Sequence, residues 1–282
     1  MSQKSYDNTP TVYLIPTPIG NMDDLTYRSV QILKEVDVLF CEDTRETGKL
    51  LKYLDISKKM ISNHEHNEIN NKEKLLEYLN NGMNVGVVSD RGTPVISDPG
   101  YELARFVIDA GYNVVALPGA TALIPALITS GIAPMPFLFY GFLNSKNSKK
   151  EKELEALKNE KATLIFYEAP HRIEDTLKCM GSILGNNRKV SISREITKKY
   201  EEIYRGTICG LLEQHIEMKG EMVVVVEGNL ENSDFSNLSL IEHVNLYIND
   251  GMSKMDAIKQ VSKERGMKKS EVYNEYLKQE EH

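Results

Sequence analysis

The chain has 282 residues, of which 41% are hydrophobic and 27% are charged, and its formal net charge is −7 at pH 7. The length favours two domains, and the negative charge excludes a general attraction for polyanions, so any nucleic-acid site must be a local basic patch. Cys41, Cys179 and Cys209 lie too far apart for a zinc motif or a disulfide framework, which favours a reducing cytoplasm.

The first half of the chain alternates β-rich runs with helical patterns. Strands are predicted at Thr11–Ile15, Asp37–Cys41, Asn84–Ser89 and Asn113–Leu117, and helices at Leu25–Glu35, Thr44–Tyr53, Asn71–Asn80 and Tyr101–Ala110. This alternation is typical of βαβ crossovers and predicts a largely parallel sheet. The apolar stretch Val114–Pro134 is interrupted by Pro118 and Pro125, so a strand, a turn and a buried helix are expected there, not a membrane span. Met1–Pro10 lacks the apolar region of a signal peptide.

The pattern changes near Gly131–Pro136, where glycine and proline residues interrupt it. Further strands are predicted at Phe137–Phe142, Thr163–Tyr167, Val190–Arg194 and Met222–Glu227, and helices at Lys149–Asn159, Arg172–Leu184 and Gly206–Met218. Their less regular spacing predicts a second α/β domain with a mixed sheet. After a polar link, two helical patterns flank Gly266 and resemble a helix-turn-helix. The expected domains are an N-terminal α/β domain at 11–132, a C-terminal α/β domain at 133–230 and a helical tail at 237–282.

Loops rich in glycine, proline and small polar residues follow the N-terminal strands. They are Pro16-Thr-Pro-Ile-Gly-Asn21, Cys41-Glu-Asp-Thr-Arg-Glu46, Ser89-Asp-Arg-Gly-Thr-Pro94 and Pro118-Gly-Ala-Thr121. Because the carboxyl ends of parallel strands meet at one edge of a sheet, these loops predict a ligand pocket there. A simpler role is open for some of them, since Asp43 or Thr44 could merely cap the following helix.

Common cofactor and metal motifs are missing from the sequence. No Gly-x-Gly-x-x-Gly follows the first strand, and no P-loop motif occurs. The run His64-Glu-His-Asn-Glu68 is rich in ligand-type residues, but His64 and His66 would point to opposite faces of a strand and a third ligand is missing. No metal is therefore expected.

Taken together and in order, these runs resemble the tetrapyrrole-methylase superfamily, the class III S-adenosylmethionine-dependent methyltransferases. The resemblance extends from about Val12 to Gly228, and within the superfamily it is greatest to a bacterial group that modifies ribosomal RNA. Two residues differ from the usual family pattern: Arg91 replaces an alanine, and Ala120 often corresponds to a proline. The matching runs are Pro16–Asn21, Glu42–Arg45, His64–Glu68, Ser89–Pro94, Asp98–Tyr101, Phe166–Arg172, Arg194–Lys198 and Gly220–Val223.

The resemblance implies two α/β domains of tetrapyrrole-methylase type with S-adenosylmethionine bound in the cleft between them, and a homodimer. It implies methyl transfer to the ribose 2′-hydroxyl group of a decoding-centre cytidine in small-subunit (16S) ribosomal RNA or the assembled subunit, in the cytoplasm and without a membrane. The donor would be bound by Pro18, Gly20, Ser89, Asp90, Gly92, Thr93, Pro94, Pro118, Gly119, Ala120, Thr121, Tyr167, Glu168, Gly220 and Met222. RNA would be bound by Arg45, Lys146, Lys149, Lys150, Arg172, Arg194 and Lys198.

A ribose hydroxyl group is a poor nucleophile while it is protonated, so a general base would accelerate the transfer by about 10²–10⁴-fold. The unranked candidates are Asp43, His64, Glu65 and Glu168, with Lys198 as a group that stabilises developing negative charge. Two alternatives stay open. One is a small-molecule, precorrin-type methyltransferase of the same fold; the other is a non-catalytic RNA-binding factor of ribosome assembly, which Arg91 in the donor loop would favour.

Overall fold

A computed structural model of the protein describes residues 3–5, 7–64, 67–214, 216, 219–230, 238–249 and 252–280. The chain forms two compact units, one extending to Gly228 and the other beginning at Asn229. Two five-stranded sheets lie in the first unit. None of the described helices is both long enough and apolar enough to cross a membrane.

The first sheet is parallel, as its βαβ pattern predicts. Its strands are β1 (Thr11–Leu14), β2 (Val38–Cys41), β3 (Lys59–Ser62), β4 (Val85–Val88) and β5 (Asn113–Ala116), in the order β3-β2-β4-β1-β5. The connecting helices are α1 (Tyr27–Glu35), α2 (Thr44–Tyr53), α3 (Glu68–Asn80) and α4 (Tyr101–Asp109).

Alternation along the central strand β2 explains how helices cover both faces of this sheet. Phe40 packs in a core cluster with Leu75 of α3 and Leu103 of α4. Leu39 points to the opposite face, where its cluster includes Leu33 of α1 and a leucine of α2. Since both faces are covered, β2 and β4 are buried at every residue, which is why they stand out as apolar runs in the sequence.

The second sheet is mixed, which confirms the predicted fold class. Its strands are β6 (Phe137–Phe142), β7 (Thr163–Glu168), β8 (Lys189–Arg194), β9 (Glu202–Thr207) and β10 (Met222–Val226), in the order β6-β7-β10-β8-β9. β6 pairs with β7 in parallel, and the other pairings are antiparallel. One face packs against α6 (Asn147–Leu157), α7 (Ile173–Leu184) and α8 (Ile208–Glu213).

A further helix, α5 (Leu123–Thr129), follows the first sheet and packs against the second. Its residues Ala126 and Leu127 join a cluster with Val223 and Val225 of β10. The predicted buried helix within the apolar stretch is thus confirmed. Because α5 comes directly after β5 and contacts β10, it brings the loop that follows β5 close to the second sheet.

The described part of the second unit contains α9 (Leu240–Asn249), α10 (Lys254–Glu264) and α11 (Lys269–Glu280). The last two flank Gly266, as the sequence pattern predicts. The three helices share a core that includes Val244, Ile258 and Val272. His243 is fully buried, and its Nε2 lies 3.0 Å from a carboxylate oxygen of Glu264.

Candidate active site

A cavity of about 360 Å³ lies where loops of the two sheets of the first unit face each other. Its volume is in the range of small-molecule sites, and its wall combines apolar side chains with a few polar groups. The first sheet contributes Ile19, Arg91, Gly92, Thr93, Ile96, Ser97, Asp98, Thr121 and Ala122, and the second contributes Phe142, Tyr167, Glu168, Ala169, Pro170, Ile196, Glu221, Met222 and Val223.

Hydrogen bonds join the loops on the first-sheet side of the cavity. Gly92 exchanges two backbone hydrogen bonds with Thr17, at 2.9 and 3.1 Å, which ties the loop after β4 to the loop after β1. The Thr93 hydroxyl group donates to the carbonyl oxygen of Ala120 at 3.0 Å, which ties the same loop to the one after β5. Three strand-end loops therefore form one connected wall, as expected for the carboxyl edge of a parallel sheet.

Gly119 makes a close approach that another residue would block. A Cβ atom at this position would lie 2.5 Å from Cβ of Pro16, far inside van der Waals contact. The loops after β1 and β5 can therefore meet only because residue 119 is glycine. Gly119 is predicted as a donor contact, but it does not line the cavity and instead holds two of the wall's loops together.

Tyr167, at the end of β7, provides an aromatic surface on the opposite wall. Its ring packs edge-on against Phe139 and Phe142, with centroid separations of 4.9 and 5.6 Å. Burial raises the pKa of the Tyr167 phenol, and a hydrogen bond with Thr121 offsets part of this rise. The ring is thus fixed by contacts from both walls.

Glu168 is buried at the back of the cavity and is held at both carboxylate oxygens. One oxygen accepts from the Ala169 amide at 2.8 Å and lies 3.1 Å from Arg172 Nε, and the other accepts from the Thr176 hydroxyl group at 2.6 Å. The chain continues to Lys150, whose Nζ donates to the same hydroxyl oxygen at 3.0 Å. Because both of its oxygens already have partners, the Glu168 carboxylate is suited to holding neighbouring groups in place. This favours a positioning role for Glu168 over the predicted role of general base.

Charged groups from both sheets meet where Arg91 lines the cavity. Arg91 forms an ion pair with Glu221, and Lys198 Nζ lies 3.0 Å from Glu221 and 2.9 Å from Glu195. The methylene groups of Lys198 cover Gly20, where an added Cβ would lie 2.5 Å from two of them. Arg91, the departure from the family pattern, thus pairs with a carboxylate of the second sheet, and two carboxylates already surround Lys198.

A second, more open depression of about 410 Å³ lies at the same edge of the first sheet. It brings together the predicted residues Asp43, Arg45, His64 and Asp90, beside Glu42, Thr44 and Ser62. Asp43 caps α2 by accepting from the amide of Arg45 at 2.8 Å, and its carboxylate pairs with the Arg45 guanidinium group at 2.5 Å. These contacts lower the pKa of Asp43 to about 2, so its carboxylate is a weak base.

Six of the predicted donor residues line the cavity. They are Gly92, Thr93, Thr121, Tyr167, Glu168 and Met222. The remaining predicted donor residues are not in its wall, and these are Pro18, Gly20, Ser89, Asp90, Pro94, Pro118, Gly119, Ala120 and Gly220. Asp98 also lines the cavity but is not among the predicted site residues, although the run Asp98-Pro-Gly in the loop between β4 and α4 was a usable signal. Of the catalytic candidates, Glu65 lies outside the described residues.

Two of the predicted RNA contacts are buried in this structure. Lys150 is only 2% exposed, because its ammonium group turns inward to Thr176. Arg194 is 5% exposed and lies 3.3 Å from Glu202. Arg172 pairs with the Glu168 carboxylate. Lys146 and Lys149 are exposed.

Comparison with known proteins places this site in a family. A family model described as Tetrapyrrole (Corrin/Porphyrin) Methylases matches residues 11–211. Two proteins named Ribosomal RNA small subunit methyltransferase I, from Bacillus subtilis (strain 168) and Halalkalibacterium halodurans, are each 46% identical to this chain. The alignments cover 98% of this chain in both cases, and 97% and 98% of the respective relatives.

Solved structures with the same fold are more distant in sequence. The methyltransferase CobJ superposes with a TM-score of 0.60 at 20% identity, covering 78% of this chain and 95% of its own. Uroporphyrin-III-C-methyltransferase from Thermus thermophilus gives a TM-score of 0.54 at 17% identity, covering 77% of this chain and 94% of its own. At these identities the likeness establishes the fold alone. The family model and the full-length relatives together establish that this chain belongs to the tetrapyrrole methylase family, in the group whose members are named ribosomal RNA small subunit methyltransferase I.

Proposed function

We propose that this protein transfers a methyl group from S-adenosylmethionine to small-subunit ribosomal RNA. The observation that carries the proposal is similarity over the whole chain: relatives with that name align to 98% of it at 46% identity. The two solved methyltransferase structures named above cover 78% and 77% of it. The full-length match favours an RNA substrate over a precorrin-type one, because it includes the helical unit from Asn229 onward.

The residues of the cavity fit such a donor. S-adenosylmethionine combines a flat adenine, a ribose with two hydroxyl groups and a cationic sulfonium centre. Apolar and aromatic side chains such as Ile196 and Tyr167 would cover the adenine, and the hydroxyl groups of Thr93 and Thr121 would bind polar atoms. Glu168 and Glu221 also line the cavity and outnumber its cation Arg91, which suits a positively charged ligand.

We further propose that the acceptor is the ribose 2′-hydroxyl group of a decoding-centre cytidine. The methyl group of a sulfonium ion is already activated, so the main task of the protein is to align donor and acceptor. Such alignment can contribute up to roughly 7–11 kcal/mol in ideal cases. The fixed ring of Tyr167 and the anchored carboxylate of Glu168 support this role, since both are held by several contacts.

The second depression, with Asp43, Arg45 and His64, lies at the same sheet edge and is proposed to bind the RNA around the acceptor. Arg45 is well placed for a phosphate group, because its side chain is 85% exposed. The exposed Lys146 and Lys149 would add to the electrostatic attraction. A homodimer in the cytoplasm is also proposed, and light scattering of the purified protein would test its assembly.

Mass spectrometry of the modified RNA tests the function. The purified protein is incubated with isotope-labelled S-adenosylmethionine and small ribosomal subunits from a strain that lacks this activity, and nucleosides from the digested RNA are then analysed. The expected product is labelled 2′-O-methylcytidine at a single site, and a parallel reaction with naked RNA shows which form is the substrate. A further reaction contains a tetrapyrrole in place of RNA, and RNA binding is measured separately. Label in the tetrapyrrole but not in RNA would contradict the proposal, as would RNA binding without any methyl transfer.

A further inference from the structure

We propose that Asp98 is the general base that takes the proton from the acceptor hydroxyl group, an inference that rests on the proposed function. Asp98 lies in the loop between β4 and α4, and it lines the cavity between the two sheets. Among the described residues, no donor hydrogen-bonds to its carboxylate and no cation pairs with it. Both oxygens are therefore available to a ligand.

The other carboxylates of the cavity wall are already engaged. Glu168 accepts hydrogen bonds at both oxygens and pairs with Arg172. Glu221 pairs with Arg91 and Lys198. A general base needs a free lone pair within reach of the acceptor proton. Of the three carboxylates that line the cavity, Asp98 meets that requirement best.

The loop that contains Asp98 is held in an unusual backbone conformation. Val95 and Ser97 have φ angles of 80° and 63°, in the left-handed region that side chains with a Cβ rarely adopt. Ser97 Oγ lies so near Gly141 of β6 that an added Cβ there would approach it to 3.3 Å. The loop of Asp98 therefore has a strained backbone and lies close to the second sheet at Ser97, and such strain is common at functional sites.

The surroundings of Asp98 also suit a proton acceptor at neutral pH. Burial raises the pKa of Asp98 to about 7, and the carboxylates of Glu42 and Asp90 add to this rise. The phenol of Tyr167 faces it from the second sheet, and burial raises the pKa of that phenol, so it stays uncharged at neutral pH. A base whose pKa lies near the working pH combines a deprotonated form with a strong affinity for the proton.

The proposed methyl transfer needs only the donor, the acceptor hydroxyl group and Asp98. The 2′-oxygen attacks the methyl carbon, the carbon–sulfur bond breaks, and its electron pair returns to sulfur to give S-adenosylhomocysteine. The O–H bond breaks at the same stage, and Asp98 takes up the proton as a neutral carboxylic acid. The proton then passes to solvent, which restores the carboxylate for the next turnover.

The test compares Asp98→Asn with the wild type in single-turnover and steady-state methylation of small subunits across pH, with donor affinity measured separately by calorimetry. The wild-type rate is expected to rise with pH and level off above an inflection near 7, because the deprotonated form is active. Asp98→Asn should lower kcat by about 10²–10⁴-fold and abolish the inflection while donor affinity is retained. Asp98→Glu should keep an inflection and lose less activity. Asp109→Asn, on the exposed end of α4, is the matched control and should behave as the wild type.

Each other outcome overturns the inference. An unchanged kcat and inflection in Asp98→Asn would remove the base role. A rise in KM and a loss of donor affinity, with kcat preserved at saturation, would make Asp98 a donor-binding residue instead. If Asp98→Asn does not fold, an Asp98→Glu profile that coincides with the wild type would contradict the proposal. In all these cases wild-type methylation would still support the proposed function, whereas its absence from the wild type would remove that function.

Discussion

Replacement of Thr176 by valine tests the buried polar chain behind the cavity. The Thr176 hydroxyl group accepts from Lys150 Nζ at 3.0 Å and donates to Glu168 at 2.6 Å. None of these three residues is more than 2% exposed. Valine keeps the shape of threonine but leaves a buried ammonium group and a carboxylate oxygen without their shared partner. The ammonium group of Lys150 has no other hydrogen-bond partner within the part of the chain that the structure describes.

The expected loss of stability follows from the charges involved. A hydrogen bond to a charged group contributes about 1.5–3 kcal/mol, and breaking a buried charged network costs about 3–5 kcal/mol. Thr176→Val should therefore lower the free energy of unfolding by roughly 3–5 kcal/mol. For a chain of this size, that corresponds to a fall in melting temperature of roughly 6–20 °C.

Two further variants show whether the loss of stability comes from the buried charge. Lys150→Met removes the buried ammonium group, so the double variant with Thr176→Val should recover part of the lost stability, because only the Glu168 oxygen is then left without its partner. Lys149→Met, on an exposed neighbour in α6, should change stability by less than about 0.5 kcal/mol. Urea unfolding at one pH and salt concentration gives all four values. The reasoning is refuted if Thr176→Val unfolds at the wild-type midpoint, or if the double variant is less stable than Thr176→Val.

Three other predictions concern the surface, the loops and the RNA. The pKa of Asp43 is about 2 in the folded chain, against an ordinary value of 3.8. Its ionised form therefore stabilises the fold at pH values above 3.8, and this contribution is lost as the pH falls towards 2. Asp43→Asn should make the melting temperature depend less on pH in this acidic range. Gly119→Ala should weaken donor binding measured by calorimetry, because its Cβ would lie 2.5 Å from a proline ring, whereas Gly48→Ala in α2 meets nothing closer than 3.8 Å and should leave donor binding intact. Alanine at both Lys146 and Lys149 should reduce the slope of log affinity for RNA against log salt by about 1 for each lost phosphate contact, as filter binding would show.

Strands with an apolar pattern could be predicted from the sequence, including the edge strands β5 and β6, whereas two other edge strands could not. β2 and β4 are buried at every residue, so they are visible as apolar runs. β3 (Lys59–Ser62) and β9 (Glu202–Thr207) were missed because each is an edge strand with exposed polar residues, which removes the apolar pattern. The predicted helix Gly206–Met218 was wrong at its start, where Gly206 and Thr207 still belong to β9. Pairing with β8, which lies earlier in the chain, makes this segment a strand.

Site residues could be predicted where the signal lies in the local sequence, and could not where it depends on contacts between distant parts of the chain. The loop from Ser89 to Pro94 was recognised because glycine, proline and hydroxyl residues stand directly after a buried strand. Lys150 was assigned to the surface because nothing in its lysine-rich run distinguishes it from Lys149. Its burial depends on Thr176, in a different helix, whose hydroxyl group accepts its hydrogen bond. Contacts of that kind become visible only when the chain is folded.

A crystal structure of the protein with S-adenosylhomocysteine tests the central claim most directly. The ligand is expected in the cavity between the two sheets, in contact with Thr93 and Tyr167 and with its sulfur atom open towards Asp98. Ligand density at any other surface, or a cavity that stays empty when the ligand is saturating in solution, would contradict the account.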